Sequence, residues 1–358
     1  MSHSLASTKT DPDTFAPAAE VAQPFDIAAL GRCLRQEIPG LTGEAEVHHI
    51  GGGQSNPTFF VTFGTRELVL RKRPEGTLLP SAHAIDREFR VQKALQSSDV
   101  PVPKVLYYHS DTALLGTAFY VMERVHGRIF HDSALTEADP SDRAEMQRDL
   151  ARVLAAIHRV DIRTAGLADY GRPRGFYERQ LNRWTAQWQL SRSTALPDID
   201  TLCDWLHAHL PPEEPVRLVH GDFRVGNVIF HPTEPRVVAV LDWELSTLGH
   251  PIADLAHSCI YSWLIRPEEY GGIMGLDLAG LGLLSQEEFA ATYFEAIGTV
   301  PRLTAFDLAF ALFRNAVIFQ GIAARAEAGN AAAANATQVG ALAPIFAARG
   351  LAIAQGRI

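Results

Sequence analysis

The first third of the chain is patterned as short β-strands. Between Glu44 and Val125, apolar residues alternate or form β-branched runs that Gly and Pro interrupt, which predicts strands. One stretch, His83–Gln96, has helical periodicity instead. The runs that predict strands are AEVHHI, TFFVTF, ELVLR, KVLYYH and AFYVMERV. We therefore expect a small five-stranded sheet with one helix.

After Gly127 the pattern becomes mostly helical. The buried face of the first long helix is predicted to consist of Leu150, Val153, Leu154 and Ile157, which recur at helical spacing. Further helices are predicted at Tyr177–Leu190, Ile199–Leu210, Glu287–Ile297 and Ala305–Ala328. Two short apolar strands, RLV and VVAVL, interrupt this helical part. The chain is therefore expected to have an α+β fold.

Composition limits the possible classes of protein. The chain has 358 residues, of which 47% are hydrophobic and 20% charged, enough for one large bilobal domain or two smaller ones. Its formal net charge of −9 argues against a nucleic-acid partner, because phosphate backbones are bound by basic surfaces.

The cysteines and the terminal segments indicate a reduced, cytoplasmic protein. Cys33, Cys203 and Cys259 are far apart and match no metal or redox spacing. Residues 1–24 lack the apolar run of a signal peptide and are expected to be a disordered tail. The Ala-rich segment Asn330–Gln355 contains Asn, Gln, Pro and Arg, so we expect packed helix and no membrane span.

One segment carries the residue types that phosphoryl transfer requires. His220–Asn227 reads HGDFRVGN, and the run VVAVL is followed by Asp242 in the sequence LDWE. The reaction needs a carboxylate beside the acceptor hydroxyl, oxygen ligands for Mg²⁺ and cations on the phosphates. Asp222 suits the first role, and Asn227 and Asp242 suit the second.

The HGD-x-x-x-x-N loop and the LDWE strand resemble the aminoglycoside phosphotransferase and choline kinase-like family, which has the protein-kinase-like fold. The resemblance is strongest to the kinase domains fused to, or encoded beside, acyl-CoA dehydrogenases. It includes the stretches GGGQSNPTFFV, LVLRKRPEG, LLPSAHAIDREFRVQKAL, VPVPKVL and FYVMERVHG, and it extends from about Phe25 to about Gly350. The dehydrogenase itself is expected to be absent, with the chain ending where the kinase domain would.

The resemblance implies a bilobal fold, with ATP and Mg²⁺ as cofactors. The expected divisions are the tail at 1–24, an N-lobe at 25–125 that covers the nucleotide phosphates, and a mainly helical C-lobe at 126–358 with the catalytic loop and acceptor site. A small-molecule hydroxyl acceptor is implied, and an acyl-CoA dehydrogenase is a possible partner.

The resemblance also implies roles in the catalytic loop. Asp222 would accept, or simply orient, the proton of the acceptor hydroxyl, while Asn227 and Asp242 coordinate Mg²⁺. Arg224 either clamps the γ-phosphate, binds the acceptor or faces solvent. Glu244 either binds a second metal ion or water, or makes a structural hydrogen bond.

Two other residues are expected to brace this loop without taking part in the chemistry. His220 would do so through backbone contacts, and Asp254, in HPIADLAH, would fix the loop from below. No HExxH, paired-cysteine or G-x-S-x-G motif is present, and the 14 histidines are scattered. The sequence therefore offers little support for another chemistry.

The N-lobe strand LVLR resembles the VAIK strand of protein kinases, with Arg71 where the phosphate-binding lysine would be. Lys72 is expected to point to the opposite face, although a shift of one residue would exchange the two. Glu88 is the expected ion-pair partner of Arg71. The hinge after the last strand, with Glu123 and Val125, is predicted to pair its backbone with the adenine edge.

The glycine-rich turn Gly51–Asn56 joins two predicted strands and resembles a phosphate-covering hairpin. It lacks the spaced glycines of the dinucleotide fingerprint and the Gly-Lys-Ser/Thr of a Walker loop. Backbone N–H groups of Gln54, Ser55 and Asn56, with the Ser55 hydroxyl, are predicted to contact the β- and γ-phosphates.

The acceptor is the least defined part of the prediction. Arg179 and Arg183 lie one turn apart on a predicted helix, and Arg314 and Arg325 add charge on a later one, which favours an anionic hydroxyacid or hydroxyacyl-CoA. Aromatic residues that either line the site or pack in the core are Tyr177, Trp184, Trp188, Tyr261 and Trp263. The alternatives are a kinase of amino sugars or other cationic acceptors, and a catalytically silent nucleotide-binding partner of a dehydrogenase.

Overall fold

The computed structural model describes residues 25–50, 56–74, 84–192, 195–212, 216–300, 302–327 and 336–358. The predicted tail and the predicted phosphate contacts Gln54 and Ser55 lie outside the described residues. The chain divides into two compact units. The first comprises the residues up to Phe89 and Pro103–Arg128, and the second comprises Arg90–Val102 and Ile129–Ile358.

The first unit is built on an antiparallel sheet. Its helices are α1 (Ile27–Glu37) and the N-terminal part of α2 (Ile85–Leu95); its strands are β1 (Ala45–Ile50), β2 (Thr58–Phe63), β3 (Arg66–Lys72), β4 (Val105–His109) and β5 (Phe119–Glu123). The strand order is β1-β2-β3-β5-β4. The predicted five-stranded sheet and its helix are confirmed, whereas α1 is an additional helix.

Alternation along β3 places its side chains on opposite faces of this sheet. Leu68 and Leu70 pack with Leu30 of α1. Val69 packs with Ile85 of α2. The central strand is therefore buried on both faces, which is why LVL reads as a continuous apolar run.

The second unit is mainly helical. Its helices are α3 (Pro140–Arg159), α4 (Phe176–Ser191), α5 (Pro197–Ala208), α6 (Pro251–Trp263), α7 (Pro267–Tyr270), α8 (Leu278–Leu281), α9 (Gln286–Ile297), α10 (Ala305–Glu327), α11 (Ala336–Gly340) and α12 (Ala343–Ala354). The long helices predicted from periodicity are confirmed, and the predicted face of α3 is buried against α9.

Four short strands interrupt these helices. They are β6 (Arg217–Val219), β7 (Val228–Phe230), β8 (Val237–Val240) and β9 (Thr247–Gly249). Strand β6 pairs with β9, and β7 pairs with β8, both antiparallel. The loops that carry the candidate chemistry lie between β6 and β7 and between β8 and β9.

Two segments of the second unit are apolar enough, by length and composition alone, to cross a membrane. They are α10 and the segment Ala336–Ala354. Most of α10 is buried, and its apolar residues pack with those of α4, α5 and α12. Such burial is what a central core helix requires.

Candidate active site

The backbone of the catalytic loop, His220–Asn227, is tightly constrained between β6 and β7. Gly221 has a φ of 87°, and a Cβ atom there would lie 2.6 Å from the carbonyl oxygen of Leu245. Only glycine fits that conformation and that approach. A 3₁₀ turn at Val225–Asn227 then leads directly into β7.

Asp222 and Asn227 are held together within the loop. The Asn227 amide nitrogen, Nδ2, donates to the Asp222 carbonyl oxygen and to its Oδ2 atom, both at 2.8 Å. Because both bonds use the nitrogen end of the amide, its oxygen is the end that could ligate a cation. The five-residue spacing of the motif thus has a direct geometric basis.

His257 of α6 holds the other carboxylate oxygen of Asp222. Its Nε2 lies 2.7 Å from Oδ1 of Asp222. Burial by itself raises the pKa of Asp222, but the hydrogen bond from His257 and the neighbouring Arg224 charge outweigh it, so the pKa lies below its usual value. Asp222 is therefore held as a carboxylate.

Asp254 of α6 fixes the loop backbone, as its position in the motif predicts. Its carboxylate accepts the N–H of His220 at 2.5 Å and that of Gly221 at 2.8 Å. His158 of α3 lies 3.4 Å from the same carboxylate. Burial raises the pKa of Asp254, but these partners outweigh it and keep the pKa below its usual value.

Asp242 lies at the end of β8, next to the loop. The Leu241 N–H donates to the Asn227 carbonyl oxygen at 2.8 Å, and His220 Nε2 lies 2.8 Å from the Leu241 carbonyl oxygen. Asp242 itself is left-handed, with φ 61° and ψ 62°. A non-glycine residue in this region costs about 1–3 kcal/mol and is concentrated at functional sites.

Asn227 and Asp242 thus offer an amide and a carboxylate on neighbouring segments, a donor type that suits Mg²⁺. Glu244 follows in a 3₁₀ turn, Trp243–Leu245, and is half-buried. Within the described ranges, no group of three or more His, Cys, Asp and Glu side chains is arranged to hold a metal ion. Two oxygen donors, one amide and one carboxylate, suit Mg²⁺ because that ion usually keeps several waters.

Two arginines surround Asp222 with positive charge. Arg224 Nε is 3.6 Å from Oδ2 of Asp222, and its guanidinium lies 6.0 Å from the ring centre of Tyr261. Arg314 of α10 donates to the Gly221 carbonyl oxygen at 2.8 Å. Burial lowers the pKa of Arg314, because desolvation disfavours the cation.

In the first unit, Arg71 and Glu88 form the predicted ion pair. Arg71 Nη1 lies 2.8 Å from Glu88 Oε1, and the Glu88 side chain is fully buried. Lys72 points to the other face, where it donates to the Leu115 carbonyl oxygen and lies 5.5 Å from the ring centre of Phe25. The register therefore directs Arg71, and not Lys72, toward Glu88.

The other predicted nucleotide contacts of this unit that the structure describes are Asn56, Glu123 and Val125. The Asn56 side chain is buried, and its amide atoms have no hydrogen-bond partner among the described residues. The N–H of Glu123 donates to the Lys104 carbonyl oxygen at 2.9 Å. Because this N–H is already used, an adenine contact by the Glu123 backbone would use its carbonyl group. Val125 lies two residues further along the chain, after the end of β5.

Sequence reasoning did not single out His257. It lies three residues after Asp254 in HPIADLAH, so both face the same side of α6. That spacing was the one available signal, and a lone histidine on an apolar helix is usually structural. The separation of 35 residues from Asp222 hides the contact from motif analysis.

Comparison with known proteins identifies the family of this chain. The profile of the phosphotransferase enzyme family matches residues 46–305. The chain belongs to this family. Acyl-CoA dehydrogenase family member 11 of Gallus gallus is 42% identical over 341 residues, which cover 92% of this chain and 44% of that protein. Family member 10 of Mus musculus is 43% identical over 305 residues, covering 84% of this chain and 28% of that protein. The chain spans less than half the length of these relatives.

Solved structures show the same fold. A Ralstonia eutropha protein assigned to the aminoglycoside phosphotransferases superposes with a TM-score of 0.85 and 41% identity, covering 93% of this chain and 99% of that one. The aminoglycoside phosphotransferase APH(4)-Ia, in a complex with AMP-PNP and hygromycin B, superposes with a TM-score of 0.59 at 18% identity, covering 91% and 98%. The chain therefore belongs to the phosphotransferase family and has its protein-kinase-like fold.

Proposed function

We propose that this phosphotransferase moves the γ-phosphoryl group of ATP to a hydroxyl group of an anionic small molecule, a hydroxyacid or a hydroxyacyl-CoA. The observation that carries the proposal is the Asp222 carboxylate, which Asn227 and His257 hold in place and which lies beside two arginines.

Asp222 receives the hydrogen bond of the acceptor hydroxyl and orients its oxygen toward phosphorus. Because the pKa of Asp222 is low, it is a weak base, which fits a loose transition state where proton removal comes late. Asn227 and Asp242 would hold Mg²⁺, which when bound would neutralise charge on the phosphate oxygens. Within the first unit, Arg71 is the cation that we propose for ATP phosphates, and Glu88 orients its guanidinium.

The charges around Asp222 favour an anionic acceptor. Arg314 has no carboxylate within 4.0 Å among the described residues, and the nearest carboxylate to Arg224 is Asp222 itself. Arg183 and Arg314 both lie against the Trp184 ring, at 5.3 Å and 5.8 Å from its centre. An amino-sugar acceptor would place ammonium groups among these cations, which costs energy in a partly desolvated site.

The relatives support the same chemical class. Both mammalian and avian proteins described above are named as acyl-CoA dehydrogenases, and they extend far beyond the matched region. A kinase attached to, or working beside, such an enzyme would phosphorylate a hydroxyl on an acyl chain. We therefore place a hydroxyacyl-CoA ahead of a free hydroxyacid, with an acyl-CoA dehydrogenase as the partner enzyme.

The test is ADP release from Mg²⁺-ATP in the presence of four acceptor classes: hydroxyacyl-CoAs, hydroxyacids, amino sugars and choline analogues. Turnover of the first or second class is expected. Turnover of amino sugars alone would refute the anionic acceptor while leaving phosphotransfer intact.

Two variants check that the reaction uses the assigned carboxylate. Asp222→Asn should lower acceptor-dependent ADP release by about 100-fold or more while Mg²⁺-ATP binding stays measurable. Asp204→Asn, an exposed change on α5, is the matched control and should behave as wild type. Undiminished turnover in Asp222→Asn would show that another group carries the reaction.

A further inference from the structure

Helix α6 presents one polar face to the catalytic loop. Asp254 binds the backbone N–H groups of His220 and Gly221, and the Ser258 hydroxyl donates to the Phe223 carbonyl oxygen at 2.7 Å. His257 lies between them in sequence and contacts the Asp222 side chain instead. Two members of this face thus hold the main chain, and one holds the reactive carboxylate.

His257 is in a position that favours a neutral imidazole. Its side chain is 3% exposed, and its Nδ1 is buried without a hydrogen-bond partner among the described residues. Protonating Nδ1 would create a buried N–H donor with nothing to accept it. Burial lowers the pKa of His257, and Arg314 acts in the same direction, which outweighs the opposing effect of Asp222 and Asp254.

The tautomer of this neutral imidazole follows from its one polar contact. Asp222 is ionised and can only accept at Oδ1, so the proton must reside on Nε2 of His257. The nearby ring of Tyr261 packs edge-on at 4.9 Å between centroids, and among the described residues Asp222 is the hydrogen-bond partner of the imidazole side chain. The imidazole therefore donates from Nε2, and its Nδ1 carries no proton.

We propose that His257 is a positioning residue that fixes the orientation of the Asp222 carboxylate through Nε2–H. With Asn227 on Oδ2 and His257 on Oδ1, the carboxylate cannot rotate, and its remaining lone pairs face a fixed direction. Without His257, one oxygen would swing free and the acceptor hydroxyl would lose its alignment. The inference depends on the proposed function in one respect only, namely that the aligned Asp222 carboxylate orients an acceptor hydroxyl.

The kinetic test compares two substitutions. His257→Leu removes the donor and keeps an apolar side chain, whereas His257→Gln keeps an N–H near the Nε2 position. For His257→Leu we expect kcat to fall by about 100-fold, with less than a threefold change in the KM values of ATP and acceptor, since a misplaced reacting group affects the chemical step. His257→Gln should recover most of that loss.

Equal losses in the two variants, or a kcat for His257→Leu within twofold of wild type, would overturn the proposal. A thermal melt of each variant separates loss of folding from loss of positioning. Where His257→Leu does not fold, the comparison of His257→Gln with wild type and the tautomer measurement below still decide.

The second test needs no acceptor. In ¹⁵N-histidine-labelled protein, the signal assigned by its absence in His257→Gln should show a neutral imidazole protonated at Nε2 at neutral pH. An Nδ1–H tautomer would refute the proposed donor, because Nε2 would then carry no proton, whereas an imidazolium would refute the neutral state inferred for the ring. Because this readout is independent of turnover, a chain that phosphorylates none of the acceptors tried would defeat the proposed function without deciding the role of His257.

Discussion

Substitutions at the Arg71–Glu88 pair can distinguish its contribution to stability from its contribution to ATP binding. Its two side chains are 12% and 0% exposed, and the charged atoms lie 2.8 Å apart. Glu88→Met would remove this carboxylate from beside the nearly desolvated Arg71 guanidinium. Removing one partner of a buried ion pair costs about 3–5 kcal/mol, because the buried cation loses a negative charge at contact distance.

Replacing both members has a different consequence. In Arg71→Met/Glu88→Met neither charge of the pair remains, and two flexible apolar side chains occupy a similar volume. Such replacements are often neutral in stability. We therefore expect the double variant to regain most of the 3–5 kcal/mol that Glu88→Met loses. ATP affinity, in contrast, should fall at least tenfold in both, since the double variant lacks the cation and the single variant lacks its orienting partner.

The assay must report on the first unit. All five tryptophans lie in the second unit, so tryptophan fluorescence would follow the wrong part of the chain. Amide hydrogen exchange of peptides from β3 and β5 in urea measures the opening free energy of the sheet itself. ATP affinity is measured separately by calorimetry. Lys104→Met in the first unit is the control, because its pair with Glu123 is 65% and 40% exposed and contributes at most about 1 kcal/mol.

Two results would refute the reasoning. If the double variant is as unstable as Glu88→Met, the loss of stability comes from packing and not from removing the counter-charge of a buried cation. If the double variant binds ATP as well as wild type, Arg71 does not bind the phosphates, and the assignment in the first unit is wrong.

Three further predictions concern the second unit. Asp254→Asn should destabilise it by about 2–4 kcal/mol in urea unfolding followed by tryptophan fluorescence, because an amide accepts at one oxygen only and leaves a buried loop N–H unpaired; a loss under 1 kcal/mol would contradict this. The depressed pKa of Asp222 contributes stability that is present above its unfolded value of about 4 and is lost as pH falls toward the folded value, so Asp222→Asn should flatten the acid side of the urea-midpoint profile, and an unchanged profile would contradict it. Arg314→Gln should raise the KM of an anionic acceptor at least tenfold with the KM of ATP little changed, and the reverse pattern would exclude Arg314 from the acceptor site.

The parts of the site that could be predicted from sequence are those set by local geometry. Asp222 and Asn227 lie five residues apart in the same loop and contact each other directly, so a short sequence motif is enough to predict the contact. The choice of Arg71 over Lys72 follows from strand alternation once the strand is identified. Likewise, the period of apolar residues was sufficient for the sheet and the long helices, because each element buries one face.

The remaining parts depend on packing between distant segments. Arg314 contacts Gly221 across 93 residues, through the docking of α10 on the loop, and no local pattern specifies that docking. Helix α1 was missed for a different reason. It has a capping Asp26, whose carboxylate accepts the Ala29 N–H, but its short amphipathic stretch follows a polar tail and resembles many surface segments.

The position of Arg314 links these observations to the choice of acceptor. Its guanidinium is desolvated enough for its pKa to fall, yet its assigned bond is to a neutral carbonyl oxygen. A cation in such a place is unfavourable in the free protein, because the lost hydration is not replaced by a full negative charge. An anionic acceptor would supply that charge next to Asp222, whereas a cationic one would add to the imbalance. The same residue that constrains the Gly221 carbonyl would therefore select the substrate, so acceptor charge and the geometry of the catalytic loop are expected to be coupled.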